Sequence, residues 1–301
     1  MDTALLTRTT FPELEQFTRA LDVRPTTAEG YTKKVRDFLA WAARANVIEP
    51  KAGDILAYKR QLTERGLSPY SVSAYLTAVR RFFTWAETED LYPNIARGVR
   101  GAKTRRGHAK DALTVAQVRA VLNVATDDRE RALLVLLFTT AIRSVETVRA
   151  NVGDLRTKGE RTVLWVWGKG RETADDFVVV PEKAATELYR YLKTRENVTT
   201  SAPLFAGAGN RNRGRLTTRT IRRIVTGAYR RAELSSPTIT THSTRHTAVT
   251  LALTAGATVQ EAQALARHAS IATTQIYAHN LDRLTAGTED RIAGAIFGGS
   301  E

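Results

Sequence analysis

The sequence has no cysteine, a single methionine and only eight prolines among its 301 residues. The missing cysteine excludes disulfides, zinc–thiolate centres and thiol nucleophiles, and it fits a cytoplasmic protein. Long hydrophobic runs are missing too. No apolar stretch approaches the roughly 18 residues of a membrane span, and the opening MDTALLTRTTFPELEQF lacks both the basic start and the apolar core of a signal peptide. Negative charge is scarce: 31 acidic residues face 45 lysines and arginines, a net charge of +14. Such an excess attracts a polyanion, either nucleic acid or an anionic membrane surface, and the lack of any membrane-seeking segment favours nucleic acid. Arginine outnumbers lysine, which suits phosphate recognition through its planar fork and also suits a GC-rich coding sequence. What remains is ordinary for a globular chain, 43% hydrophobic and 25% charged, with length enough for two domains.

Residues 10 to 97 read as consecutive helices: Pro12 to Leu21, Thr26 to Ala45, Ala52 to Arg65 ending at Gly66, and Ser68 to about Glu89. The last is the most regular. Val72, Tyr75, Leu76, Val79, Phe82, Phe83 and Ala86 follow the i, i+3, i+4, i+7 pattern, while Arg80 and Arg81 point elsewhere and form part of a basic outer face. That face is either solvated or a DNA contact. The stretch GVRGAKTRRGHAKDALT keeps no apolar periodicity and concentrates Arg100, Lys103, Arg105, Arg106 and Lys110 between glycines. It is expected to be a basic linker, residues 98–112, tracking a DNA backbone.

A second domain, residues 113–301, starts at Leu113. Thr114 to Val124 is helical, and Asp127 to Thr140 carries RALLVLLFTT, too apolar for a surface helix and therefore central. Arg143 follows at once. Arg161 to Trp167 and Phe177 to Pro181 are β-branched and aromatic runs separated by GKGRETADD, a hairpin with Lys169 near its turn. Helices resume at Glu182 to Arg195 and Thr217 to Ala232. The intervening AGAGNRNRGR lacks the lysine–serine pair and the strand-to-helix context of a nucleotide cradle.

The stretch from His242 to Tyr277 concentrates the polar chemistry. Ser243 or Thr244 can cap a helix that stops at Gly256; Thr258 and Glu261 have capping-box spacing for a second, ending at Arg267 and His268; a third carries Tyr277. His242 and Arg245, three apart at a helix start, can face one anion. His268 and Tyr277, nine apart, would lie on opposite faces of one continuous helix, so a break is needed. Ser270, Thr273 and Thr274 supply turn and cap chemistry for it.

Arg143 in TTAIRSVE, the lysine in WGKG, H-x-x-R-H at 242 to 246, His268 and TTQIYAH ending at His279, five motifs in order, together resemble the tyrosine site-specific recombinases, the Xer and phage-integrase family. The resemblance covers nearly the whole chain. It implies an α-helical, four-helix, SAM-like core-binding domain at residues 1–97 and a mixed, mainly α-helical α+β catalytic domain with a small antiparallel β-sheet, the two clamping duplex DNA. It further implies Tyr277 as nucleophile, Arg143 and Arg245 as phosphate clamp, Lys169 as general acid and His242 and His268 as supporting pair. The chemistry is coherent. A phenol of reference pKa about 10 needs a cationic pocket and a proton acceptor, two guanidiniums stabilise charge growing on the non-bridging oxygens, and a hairpin lysine protonates the departing 5′ oxygen. A 3′-phosphotyrosyl link keeps the bond energy, so no cofactor and no metal is expected. The expected partners are double-stranded DNA bearing a short, partly palindromic site and three further copies of the chain, a tetramer on two sites. The tail from about 280, with Leu281, Leu284, Ile292 and Ile296, docks either on a neighbouring protomer or on its own. Localisation would be cytoplasmic, with the nucleoid.

Three departures from the family pattern stand out. Ala141 and Arg267 occupy places where glycine is usual, which suggests backbone adjustments. The hairpin turn is also longer than usual and carries Asp175 and Asp176 where a basic residue is frequent. His246 and His279 read as structural. The competing functions are a type IB topoisomerase, which uses the same chemistry to rejoin the original strand, and a DNA-binding protein without activity.

Overall fold

The computed structural model describes residues 12–102, 111–167, 174–207, 214–234, 236–278 and 296. The chain divides into two compact units, the first ending at residue 108 and the second starting at residue 109.

Among the described residues the first unit holds four helices, α1 (Pro12–Ala20), α2 (Pro25–Arg44), α3 (Ala52–Glu64) and α4 (Pro69–Thr88). Their apolar stripes meet in an aromatic core in which Phe17, Phe38, Tyr58, Phe82 and Phe83 are all but completely buried. Phe38 lies edge-on to Tyr58 and Phe83, with ring centroids 5.1 and 5.8 Å away, the arrangement that aromatic quadrupoles favour. α4 begins where its sequence signals a start: Pro69 fixes the first φ, and the Ser68 side chain accepts from the Ser71 N–H at 3.1 Å. The expected linker is in part not a linker. Val99 is buried in this core, Lys59 donates to the carbonyls of Arg100 and Gly101 at 3.0 and 3.2 Å, and the Ala102 N–H donates to Ser73 at 3.1 Å. Residues 99–102 therefore belong to the helical unit, because the buried Val99 side chain and hydrogen bonds between their backbone and side chains of the helices fasten them to it.

The second unit is mainly helical: α5 (Val115–Asn123), α6 (Asp128–Thr140), α7 (Ser144–Arg149), α8 (Glu182–Lys193), α9 (Thr218–Arg231), α10 (Thr241–Thr254), α11 (Val259–Ala266) and α12 (Ile271–Ala278). Strands β1 (Leu155–Lys158), β2 (Arg161–Trp167) and β3 (Ala174–Val179) form one antiparallel sheet in the order β1-β2-β3. α6 is central, as its composition requires. Leu133, Leu134, Leu136 and Leu137 are fully buried, each stabilising the fold by roughly 1.5–3 kcal/mol relative to exposure.

Two boundaries differ from the sequence reading in ways that matter for the site. β3 begins at Ala174 rather than Phe177, with Asp176 in register with Val166, so Asp175 and Asp176 stand in the strand and not in the turn. α10 begins at Thr241 with Thr240 as its cap. The Thr240 hydroxyl accepts from the His242 N–H at 3.3 Å while Ser243 accepts from the Thr240 N–H at 2.9 Å. Ser243 is thus the reciprocal partner of a capping box rather than the cap, which moves His242 and Arg245 inside the helix. At the two positions where glycine is usual, Ala141 and Arg267 both take a left-handed conformation, each at φ 51°.

Candidate active site

Both left-handed residues end helices, Ala141 closing α6 and Arg267 closing α11, and both turn carbonyls toward arginines. A left-handed cap on a residue with a Cβ costs about 1–2 kcal/mol, and here it serves the site. Arg245, 3% exposed on α10, donates to the Ala141 carbonyl at 2.5 Å and also to the Ala266 carbonyl. Arg143 caps α7, and its guanidinium donates to Glu146 at 2.7 Å and to the Arg267 carbonyl at 3.3 Å. The two helix ends therefore hold two guanidiniums by their backbone oxygens.

Glu146 is the hinge of this arrangement. It is buried, accepts from the Arg143 backbone N–H at 2.9 Å, pairs with the Arg143 side chain and also pairs with Arg267. A buried carboxylate between two guanidiniums is compensated on both sides. The Arg267 side chain continues to Asp176 on β3, with Nε 3.4 Å from the carboxylate. Three guanidiniums, Arg143, Arg245 and Arg267, and two carboxylates, Glu146 and Asp176, leave one net positive charge, the complement of a phosphodiester monoanion.

Burial and this crowding of cations set the protonation states. Burial first, then Arg143 and Arg267, draw Arg245 down to about 10, which leaves it charged at neutral pH. His268 is pulled to about 4 by burial and then by Arg245, Arg143, His242 and Arg267, so it is neutral at pH 7. Its Nδ1 shares a 2.9 Å hydrogen bond with the hydroxyl of the fully buried Thr274 on α12. That bond fixes the ring orientation and folds α12 back on the end of α11, the break that the nine-residue spacing demanded. The Gln263 amide donates to the His268 carbonyl at 3.0 Å and holds the same turn.

Tyr277 is 6% exposed and packs with Ala141, Ala248, Val249, Ala262 and Ala266. Its ring lies 4.7 Å from that of His246 and 6.0 Å from that of His268, stacked on the latter. Burial raises its pKa above the ordinary phenol value, and the charge of Arg245 opposes that rise. His242, on the exposed side of α10, lies edge-on to His246 at 5.4 Å. Arg143, Arg245, His268 and Tyr277 are thus drawn to one place, with His242 adjoining through His246. Lys169 lies outside the described residues; the last pair of the hairpin that carries it is Trp167 with Ala174.

Four contributors escaped the sequence reading in part or whole. Glu146 is one of them; its i, i+3 spacing from Arg143 is a capping-box signal that points to it. Thr274 was read as a turn residue, His246 as structural and Arg267 as a replaced glycine, and none of their links to the site has a local signature.

Of the DNA-contact residues expected in the helical unit, Arg80 donates to the Val99 carbonyl and to Thr77, both at 3.1 Å. Arg81 is exposed and lies over the Tyr31 ring at 5.7 Å. Arg100 is exposed and shares with Arg80 and Arg97 the lining of a groove of about 410 Å³. Lys103, Arg105 and Arg106 lie outside the described residues. Among the described residues no helix is long and apolar enough to cross a membrane.

Comparison with known proteins places both units in one family. Residues 111–283 match the model of the phage integrase family, and residues 11–92 match that of the phage integrase N-terminal SAM-like domain. Tyrosine recombinase XerA of Pyrococcus furiosus is 30% identical over 230 residues, 76% of each chain. Tyrosine recombinase XerC of Leptospira interrogans is 32% identical over 232 residues, 74% of this chain and 70% of the relative. A crystal structure of XerA recombinase aligns over 93% of this chain and 98% of its own, at 26% identity and a TM-score of 0.52. The fold is also that of XerH site-specific recombinase bound to a palindromic difH substrate, with a TM-score of 0.73 at 20% identity over 94% of this chain and 85% of the other. With more than half of its length matched by the integrase model and its helical unit by the companion domain, the chain belongs to the phage integrase family and is a tyrosine recombinase, a DNA strand-transferring enzyme.

Proposed function

We propose that the chain cleaves and rejoins duplex DNA at a short, partly palindromic site, with Tyr277 as the nucleophile, Arg143 and Arg245 as the phosphate clamp, His242 and His268 as supporting groups and Lys169 as the general acid. The observation that carries this reading is the buried Tyr277 ring stacked on neutral His268 beside Arg245. The tyrosine oxygen attacks phosphorus and forms the phosphotyrosyl ester, and the bond from phosphorus to the 5′ oxygen breaks. The phenol proton passes to an imidazole, and the departing oxygen takes a proton from the hairpin lysine. Charge growing on the non-bridging oxygens meets two guanidiniums already placed, Arg245 by backbone carbonyls and Arg143 by Glu146. Structures of XerH and of the integrase of the Tn1549 transposon, which share this fold, have been solved with DNA bound, which supports duplex DNA as the partner here.

The active assembly in this proposal is a homotetramer on two sites, with the tail passing to a neighbouring protomer. In support, Ile296, among the described residues, is an apolar side chain that is 65% exposed. The reaction is tested with a nicked suicide duplex carrying the site that the protein selects from random DNA. Wild type is expected to give a protein–DNA adduct that survives boiling in detergent, and Tyr277→Phe none. A wild type that binds the duplex and never forms the adduct would refute the assignment.

A further inference from the structure

Arg267 and Asp176 are each locally out of place. Arginine occupies a left-handed helix terminus at φ 51° and ψ 50°, a conformation suited to glycine. Aspartate occupies a strand, where its type is depleted, two residues beyond Ala174, which pairs with the last residue before the hairpin turn. Each local conflict is resolved by the other residue. The Arg267 side chain, 10% exposed, leaves α11, pairs with Glu146 and reaches Asp176 at 3.4 Å. The second Asp176 oxygen accepts from the Phe177 N–H at 2.8 Å, so the carboxylate is held in place from its own strand. A shift of the ladder between Val166 and Trp167 lies opposite this point and bends the hairpin end.

We infer that Arg267 is a positioning residue that latches the β2–β3 hairpin, through Asp176, to the Arg143–Glu146 clamp. The inference rests on the reading above that the hairpin turn carries the general acid. Glu146 is shared by Arg143 and Arg267, so capture of a phosphate by Arg143 loosens its hold on Glu146 and strengthens that of Arg267. Phosphate capture and hairpin placement become one event. A local rule broken twice at one contact is the pattern expected where function overrides propensity.

The function of a hairpin latch is to deliver a proton to the 5′ oxygen as the bond to phosphorus breaks. Replacing that bridging oxygen with sulfur removes the need, because the thiolate departs without a proton. The experiment measures single-turnover cleavage of two matched suicide duplexes, one with a 5′-bridging oxygen and one with a 5′-bridging sulfur, by wild type, Lys169→Ala, Asp176→Asn, Arg267→Gly and the double variant Asp176→Asn with Arg267→Gly. Glycine at 267 is relaxed in the left-handed conformation and keeps the carbonyl that Arg143 uses, and Asp176 is partly exposed, so both variants should fold. Both are expected to lose about 10- to 100-fold on the oxygen substrate, the scale of a misplaced catalytic group. On the sulfur substrate both should fall within about threefold of wild type, and the double variant should be no slower than the slower single, as two ends of one contact require. Equal losses on both substrates, or no loss on oxygen, would overturn the latch. Sulfur rescue of Lys169→Ala without rescue of Asp176→Asn and Arg267→Gly refutes the latch alone. Rescue of those two without rescue of Lys169→Ala upholds the latch and refutes Lys169 as the acid.

Discussion

At neutral pH, without DNA, His268 and Tyr277 face each other as neutral imidazole and neutral phenol. Burial and neighbouring cations hold His268 at about 4, while burial outweighs Arg245 at Tyr277 and keeps the phenol protonated. The cationic pocket by itself therefore does not activate the tyrosine. An anion in the clamp cancels part of the positive field, so His268 becomes a better proton acceptor only when phosphate is present. Histidine NMR titration should find a His268 midpoint near 4 in the free chain, moving upward with orthovanadate; a midpoint already in the ordinary histidine range without any anion would contradict this. The same shift carries a stability consequence. The folded-state value lies below the unfolded value of about 6.5, so the unfolded chain takes up the proton first as pH falls. Stability present above pH ~6.5 is lost progressively down to about pH 4. Denaturant midpoints should fall more for wild type than for His268→Gln across that window, and parallel losses would sink the claim. Thr274→Val removes the hydroxyl that orients His268 while nearly keeping shape. Cleavage should slow about tenfold or more, in the range of lost outer-shell orientation, and unchanged single-turnover rates would show that His268 needs no such anchor.

The elements around the site show which parts of it were legible in sequence. α2 and α4 were readable because about five turns of amphipathic repeat and proline starts speak from within one segment. The box of Thr258 and Glu261 formed as spaced, with the Glu261 N–H donating to Thr258 at 3.1 Å and the Thr258 N–H to Glu261 at 2.7 Å. α7 is six residues long and β1 four, too short for either periodicity to register. β1 exists because β2 supplies its ladder, and Asp175 and Asp176 join β3 for the same kind of non-local reason. The glycine departures show the opposite lesson. Ala141 and Arg267 carry side chains on left-handed turns, a conformation their residue types do not announce, and their carbonyls there accept from Arg245 and Arg143. For Ala141 the consequence can be weighed. Ala141→Gly relieves about 1–2 kcal/mol of strain, but loses a buried methyl of about 0.8 kcal/mol and gains unfolded-state entropy worth about 0.4–1 kcal/mol. The net change in unfolding free energy should stay within about 1 kcal/mol, whereas Ala141→Val, β-branched and fully buried, should cost more than about 2 kcal/mol. Equal effects of the two in denaturant titration would mean that the left-handed turn is not held under strain.

Across the whole molecule, the net charge of +14 is divided among arginines with different tasks. Some are fastened to the chain's own backbone: Arg80 to Val99, Arg195 to Pro203 and Leu204, Arg215 to Val148 and Ala150. Others, such as Arg100, stand exposed at the surface. Sequence treats both kinds alike, because a guanidinium bound to a carbonyl and one facing solvent carry the same letter and the same charge. They separate in solution through salt. Each phosphate neutralised contributes about −0.9 to the slope of log affinity against log salt on duplex DNA. Arg100→Gln should therefore flatten that slope by about 0.9 with no change in melting temperature. Arg80→Gln should lower the melting temperature of the helical unit, because the Val99 carbonyl loses one of the bonds that fasten this segment, and should change the salt slope by less. If Arg80→Gln instead flattens the slope by a full phosphate and leaves the melting curve untouched, its bonds to Val99 and Thr77 give way on DNA, and the basic face of α4 is the contact surface that its sequence suggested.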